Sequence, residues 1–340
     1  MNVLPSQRAS RDIPCFGLCK WMATLVFVAL SFRATDVSAQ QLSPADQLEK
    51  ELASFKVPPD WIHDVRPRWD VNKPWSEGRK EIRRLLGLGD EKSRREGIRL
   101  TWDYLQKNDI GDLHEYGMYM FLGGEPVWAV IGFRKYLDKG NHSYPPYFAL
   151  NGLSSLYTDR GMYSEAEALL QSGLKMSPPD KRWIEMRQAE MHDALGDLYV
   201  AWGKDDKATA SYQEAMRLFP KAKPPYGGHL LPRRAKKVKA KLDMLSMASL
   251  KTARLRDGTY RDKALGYSGD INLTVTIRGG KLVDIKAQHQ EKIDQNAGVI
   301  VPRNMVQQQS LQVDAISGAT VTQDAIAAGT LRALKQAGLR

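Results

Sequence analysis

Cysteine is almost absent from this chain of 340 residues: Cys15 and Cys19 are its two, and both lie in the first twenty positions. A product that loses its N-terminus therefore has no thiol, which excludes a disulfide scaffold, iron–sulfur clusters, c-type haem attachment, thiol catalysis and cysteine-ligated zinc. Six scattered histidines show no metal-binding spacing. A Ser-His-Asp set, a nucleotidase phosphate loop and a Rossmann fingerprint are missing too, so a hydrolase or a nicotinamide-dependent dehydrogenase is not expected. Tryptophan stops early: all eight precede residue 203, a shift in composition that marks a boundary. What remains is ordinary globular material, 42% hydrophobic and 26% charged, long enough for two domains.

The first 39 residues read as a secretory signal. Arg8, Arg11 and Lys20 supply a basic start, Trp21 to Phe32 an uncharged apolar stretch, and Val37-Ser38-Ala39 the small residues before a cleavage that leaves Gln40 first. The apolar stretch is shorter than the roughly 20 residues of a spanning helix, which disfavours a retained anchor, and no cysteine follows it for lipid attachment. The mature chain is expected in a periplasm or another extracytoplasmic space, free or membrane-associated. Positive charge is concentrated: nine Lys/Arg and one acid, Asp243, occupy residues 233–256 of a chain with net charge +11. The stretch holds no aromatic residue, and together with secretion this argues against nucleic acid as a partner. Two readings stay open for it. One is a helix that packs Val238, Leu242, Leu245 and Leu255 while its lysines project into solvent; the other is a docking face for an acidic partner or an anionic membrane.

An internal repeat fills the middle of the chain. Gly196, Tyr199, Gly203, Ala208, Tyr212, Ala215 and Pro220 follow one another at steps of 3, 4, 5, 4, 3 and 5. The same steps separate Ser154, Tyr157, Gly161, Ala166, Leu170, Gly173 and Pro178, and more loosely Gly117, Met120, Gly124, Ala129, Phe133, Tyr136 and Asn141. The pattern resembles the tetratricopeptide repeat, in which two antiparallel helices approach over small residues while large ones fill the gap. Unit offsets of 37 and 42 residues exceed the family's about 34, so longer inter-repeat loops are expected, Pro178-Pro179-Asp180-Lys181 among them. Helices over 77–86 and 91–106 would cap the stack, and a basic helix from about 233 to 255 would close it or lead onward. Such a stack either binds a peptide or only positions its neighbour.

From Asp257 the period changes to two. Ile271, Leu273, Val275 and Ile277 alternate with polar residues, Gly279-Gly280 turns the chain, and Val283, Ile285 and Ala287 alternate behind it. A two-residue loop would oppose Val275 and Asp284. A three-residue loop, Gly279 to Lys281, sets Ile277 opposite Val283 and Val275 opposite Ile285, so a bulged hairpin with the longer loop is expected. A last amphipathic helix spans about 321–337 with Ala327, Leu331 and Leu334 on one face.

Between hairpin and helix stands Asp314-Ala-Ile-Ser317-Gly318-Ala319-Thr320. Thr320 is expected to cap the helix with Gln323 as its box partner, and free amides at the positive end of the dipole suit a phosphate. Gly318 and Ala319 leave room for a ligand near the backbone. A capped helix with no ligand has the same residues.

The stretch resembles the attachment motif, D-x-x-[ST]-G-A-T, of the FMN-binding domain found in the C subunit of the sodium-pumping NADH:quinone reductase, in the G subunit of the related electron-transport complex and in nitrous-oxide regulatory membrane flavoproteins. Five specified residues arise by chance in such a chain with probability on the order of 10⁻⁴, at about 5% usage per residue. Upstream residues are similar as well: Asp257-Gly258-Thr259-Tyr260, Gly266-Tyr267-Ser268-Gly269, the strand ending in the Gly-Gly turn, and His289-Gln290-Glu291. Lys292 and the residues after it depart from the family. The resemblance implies that a flavin transferase joins FMN to Thr320 through a phosphoester, with Ser317, Gly318 and Ala319 forming the phosphate turn. Asp314 would serve attachment or, as an Asx residue, only the turn.

The expected fold class is multidomain: an all-α tetratricopeptide-like helical repeat stack followed by a small α+β FMN-binding domain. Its segments are a signal peptide (1–39), an N-terminal helical region (40–110), the repeats (111–222), a basic capping or linker helix (223–256) and the FMN-binding domain (257–340). The expected function is that of an exported electron carrier with covalent FMN. Implied partners are a redox protein, soluble or membrane-bound, and the flavin transferase. A repeat scaffold whose flavin is secondary or absent, and a reductase with an organic acceptor, are the alternatives.

Overall fold

The computed structural model describes residues 42–339 apart from 89, 112, 248–249, 292–293 and 314–318. The expected signal segment lies outside the described residues. Helix α1 (Pro44–Ser54) starts at Ser43, whose hydroxyl oxygen accepts the Asp46 amide at 3.1 Å. Its Glu49 and Glu51 tie it to later helices through Arg134 at 2.7 Å and Arg160 at 3.4 Å. Eight helices then follow as neighbours in pairs: α2 (Trp75–Leu86) and α3 (Glu91–Gln106), α4 (His114–Leu122) and α5 (Pro126–Asp138), α6 (Tyr147–Thr158) and α7 (Tyr163–Lys175), α8 (Ile184–Ala201) and α9 (Asp205–Leu218).

The last three pairs assign the same positions to the same tasks. Gly124, Gly161 and Gly203, between the two helices of each pair, take φ of +76°, +75° and +70°, a left-handed turn that glycine adopts without steric cost. Ala129, Ala166 and Ala208 behind them are wholly buried. Where helices cross, Gly117 lies against Phe133 and Gly196 against the Tyr212 ring, so that a β-carbon at either glycine would overlap the ring. The long loop at 178–180 runs into a 3₁₀ turn, Lys181–Trp183, that starts α8.

Helix α10 (Leu231–Leu245) is shared by two cores: Leu231 and Val238 belong to that of the helical stack and Ala240 to that of the C-terminal unit. The expectation that its lysines project into solvent holds for Lys236 and Lys239, which are exposed, and is corrected for Lys237 and Lys241. Lys241 is buried, bonded to Asp193 and Asp197 of α8 at 2.9 and 2.7 Å. Arg234 pairs with Glu190 of α8 at 2.5 Å, Lys239 with Asp243 at 2.7 Å, Lys237 with Asp324 at 3.5 Å, and Arg233 with Asp270. For Arg233, Arg234, Lys237 and Lys241 the acidic partners are distant in sequence, which is why the run alone reads as solvated.

Beyond it, β1 (Gly258–Leu265), β2 (Asp270–Arg278) and β3 (Lys281–Gln288) form an antiparallel sheet in that order. Ile271, Leu273, Val275 and Ile277 are all buried, as their alternation requires, under α11 (Ala297–Gln308) and α12 (Thr320–Gln336). Val275 faces Ile285 as expected, but the loop has two residues, not three. Arg278 pairs with Lys281 and Ile277 with Leu282, around Gly279 and Gly280 at φ +58° and +71°. Two successive left-handed residues match the twist of the strands. The register shift falls after Thr276, and the surplus residue is Val283, 40% exposed; this bulge restores the apolar register that a plain two-residue turn would lose. Among the described residues no helix is long and apolar enough to cross a membrane.

Candidate functional site

Residues singled out in separate motifs come together in the C-terminal unit. The Asp257 carboxylate accepts the amides of Gly279 and Gly280 at 2.9 and 2.8 Å. These two bonds fix the hairpin turn and hold the Asp257 carboxyl below the usual carboxylate range.

The loop between β1 and β2 meets the segment after β3 in a second network. Glu291 accepts the Ser268 amide at 3.1 Å on each carboxylate oxygen. Gly266 approaches that carboxylate so closely that a side chain there would overlap it. Burial pushes the Glu291 carboxyl above its ordinary value, against the lowering effect of the Ser268 amide. The Glu291 amide donates to Nδ1 of His289 at 3.2 Å, and His289 Nε2 lies 3.2 Å from Asp294 Oδ2, an arrangement that places the proton of a neutral ring on Nε2. Asp294 also accepts the amides of Asn296 at 3.1 Å and Gly298 at 3.2 Å, starting α11. His289 therefore works as a hydrogen-bonding residue at a strand end.

Thr320 is the first residue of α12, and the cap position belongs to Ala319, which is buried and has no side-chain cap bond. The expected cap and capping box at Thr320 and Gln323 are thereby corrected. Gln323 Nε2 donates to the Val313 carbonyl at 3.2 Å, while its amide closes the first turn on the Ala319 carbonyl at 3.0 Å. An alanine at the cap offers no side-chain oxygen to the first-turn amides, which leaves the helix end suited to an external anion. Thr322, in the first turn, is 1% exposed. It shares a face with Ile326 and Gly329 by helical spacing, and Gly329 lies against Leu273 of β2. Asp314, Ser317 and Gly318 lie outside the described residues, as does the Thr320 side chain. The donor set that is described, a helix start with no side-chain cap behind a small buried residue, fits a phosphate-bearing cofactor.

Residues 266–335 match the family model of the FMN-binding domain. The C-terminal unit carries an FMN-binding domain. NADH:acrylate oxidoreductase from Vibrio harveyi is 32% identical over 88 residues, which are 25% of this chain and 9% of the relative. The chain thus matches under a tenth of that curated relative's length. No solved structure matches.

Inside the FMN-binding domain, inspection of the sequence missed Asp294 and Asp324. Asp294 had a signal, since an Asp two residues before an Asn and just ahead of an apolar run is a helix start. Asp324, ion-paired with Lys241 at 2.8 Å, had none, because its partner stands on another element.

Proposed function

We propose that this protein is an exported flavoprotein in which FMN is joined by a phosphoester to Thr320 and which passes electrons to or from a redox partner protein. The observation that carries the reading is the match to the FMN-binding domain over 266–335, within which the D-x-x-S-G-A-T stretch runs into the start of α12, where the cap residue Ala319 has no side-chain oxygen. When bound, FMN supplies one- or two-electron transfer. The first-turn amides of α12 would offset the phosphate charge, with Ser317, Gly318 and Ala319 as the turn and Asp314 serving attachment. Asp257 holds the hairpin, the Glu291–Ser268 pair joins the two loops, and the His289–Asp294 pair fixes the second of them before α11. A phosphoester keeps the flavin in an extracytoplasmic space where a free cofactor would be lost, and a flavin transferase would form it. The helical stack, tetratricopeptide-like in its spacing, positions the domain or binds the partner.

The relative's name favours a second reading, in which the electrons reach an organic acceptor. Turnover with acrylate and similar acceptors distinguishes the two. The attachment itself is tested on full-length protein exported together with a flavin transferase. Peptide mass mapping should find flavin on Thr320, none in Thr320→Ala, retained flavin in Thr322→Ala, and an N-terminus at Gln40. Flavin on Thr322, or none on the wild type beside an active transferase, overturns the reading.

A further inference from the structure

The junction between the helical stack and the FMN-binding domain is built around one buried cation. Nζ of Lys241 lies 2.9 Å from Asp193 and 2.7 Å from Asp197, both on α8, and 2.8 Å from Asp324 on α12. Lys237, one turn earlier on α10, is 3.5 Å from the same Asp324, and Tyr212 of α9 donates its hydroxyl to Asp197 at 2.7 Å. The Lys241 side chain is 6% exposed. An ammonium so deep is tolerated when its three N–H donors all find acceptors. Here the hydrogen bonds go to Asp193 and Asp197 of the stack, and the Asp324 carboxylate of the FMN-binding domain pairs with the same ammonium as a third opposing charge, so one cation joins the two units. Asp324 stands four residues after Thr320, one turn along α12.

We propose that Lys241 is the positioning residue of α12: it fixes the helix that begins at Thr320 against the helical stack, and so sets how the FMN-binding domain presents its cofactor. The cofactor part rests on attachment at Thr320; the tie between α8, α10 and α12 does not. Burial alone would lower the Lys241 pKa, but its three carboxylates outweigh that and hold it well above its ordinary value. Its charge is therefore permanent at neutral pH, as a structural tie requires. Three carboxylates face two lysines, and the surplus negative charge is relieved at Asp197, where burial and the neighbouring Asp193 and Asp324 push the carboxyl up.

The test uses full-length protein as wild type, Lys241→Met, Lys241→Arg and, as a control for a distant ion pair, Arg134→Met. Hydrogen exchange over 320–336 should speed up about tenfold or more in Lys241→Met, the loss of a bond to a charged group. Lys241→Arg should recover most of the protection and Arg134→Met should match wild type there. In flavin-loaded protein the midpoint potential should shift in Lys241→Met and return toward wild type in Lys241→Arg, a readout that plain loss of stability does not move. Wild-type exchange over α12, acceleration spread evenly over α2 to α9, or an unchanged potential in loaded Lys241→Met overturns the proposal. If Lys241→Met does not fold, Asp324→Asn removes one carboxylate only and must show the same α12-specific acceleration. If the wild type carries no flavin, the attachment reading falls and the exchange arm still decides the positioning role.

Discussion

Gly196→Ala measures how firmly the helical crossings are held. Helix propensity alone favours alanine over glycine by about 1 kcal/mol. The surroundings oppose it: a β-carbon at 196 overlaps the Tyr212 ring, which is 2% exposed and anchored by its hydroxyl on Asp197 at 2.7 Å. Forcing extra volume into a filled core costs about 1–3 kcal/mol. A ring displaced far enough to lose its bond to the carboxylate loses about 1.5–3 kcal/mol more. The expected net loss is about 2 kcal/mol, with the crowding term larger than the propensity gain. Gly173→Ala supplies the comparison, because its β-carbon meets Met191 Sδ at 2.9 Å and Leu150 Cδ1 at 3.4 Å. An unbranched thioether can move aside, so this variant should stay within about 0.5 kcal/mol of wild type. Urea unfolding followed by tryptophan fluorescence reads the stack, where the described tryptophans lie, and equal m-values license comparison of midpoints. A Gly196→Ala protein as stable as Gly173→Ala would refute the claim that the ring is held in place.

Two further expectations concern pH and have opposite signs. The Asp197 carboxyl is pushed up by burial, then by Asp193 and Asp324, to about 7; protonation thus favours the folded state, and the stability it contributes is present below the ordinary carboxylate range and lost as pH rises to about 7. Asp197→Asn keeps an acceptor for Tyr212 and Lys241 and should flatten the unfolding midpoint between roughly pH 4 and 7; a slope equal to wild type would rule Asp197 out as the titrating group. Asp257 is lowered by the Gly280 and Gly279 amides, so its contribution is present above the ordinary carboxylate range and lost as pH falls. Protection of those two amides, taken relative to the intrinsic exchange rate at each pH, should fall in acid, and Asp257→Ala should lose the same protection at neutral pH; unchanged protection in the variant would discard its role in the turn.

Much of the architecture was legible because it depends on local periodicity. The alternation from Ile271 to Ile277 needs only one buried face to mean a strand, and those four residues are buried. The steps linking Gly196, Tyr199 and Gly203 express where a helix must admit a neighbour and where it must turn, and the three equivalent glycines share one left-handed conformation. The hairpin loop was misjudged by one residue for a reason that is also local. Matching apolar faces is a parity condition, satisfied by lengthening the loop or by inserting a bulge inside the strand. With Gly279 and Gly280 both available for left-handed backbone, the shorter turn and the bulge at Val283 win.

The helix start shows the same limit more sharply. Threonine is a good cap by propensity, yet Ala319 takes the cap position and Thr320 enters the helix. The propensity scale compares a threonine hydroxyl with nothing else available to the first amides, and an anion at that end removes the advantage. The buried lysine was illegible for a different reason. Within residues 233–256 one acid faces nine cations, and the local inference of a solvated face follows. The acids that answer Lys241 are 44 and 48 residues away on α8 and beyond the FMN-binding sheet on α12, so the signal is a balance of charge between units. Asp193 and Asp197, four residues apart on α8 and flanking the repeat's own Gly196, were its visible half: two acids on one face of a helix, beside a glycine that admits a neighbour, call for a cation from a neighbouring helix.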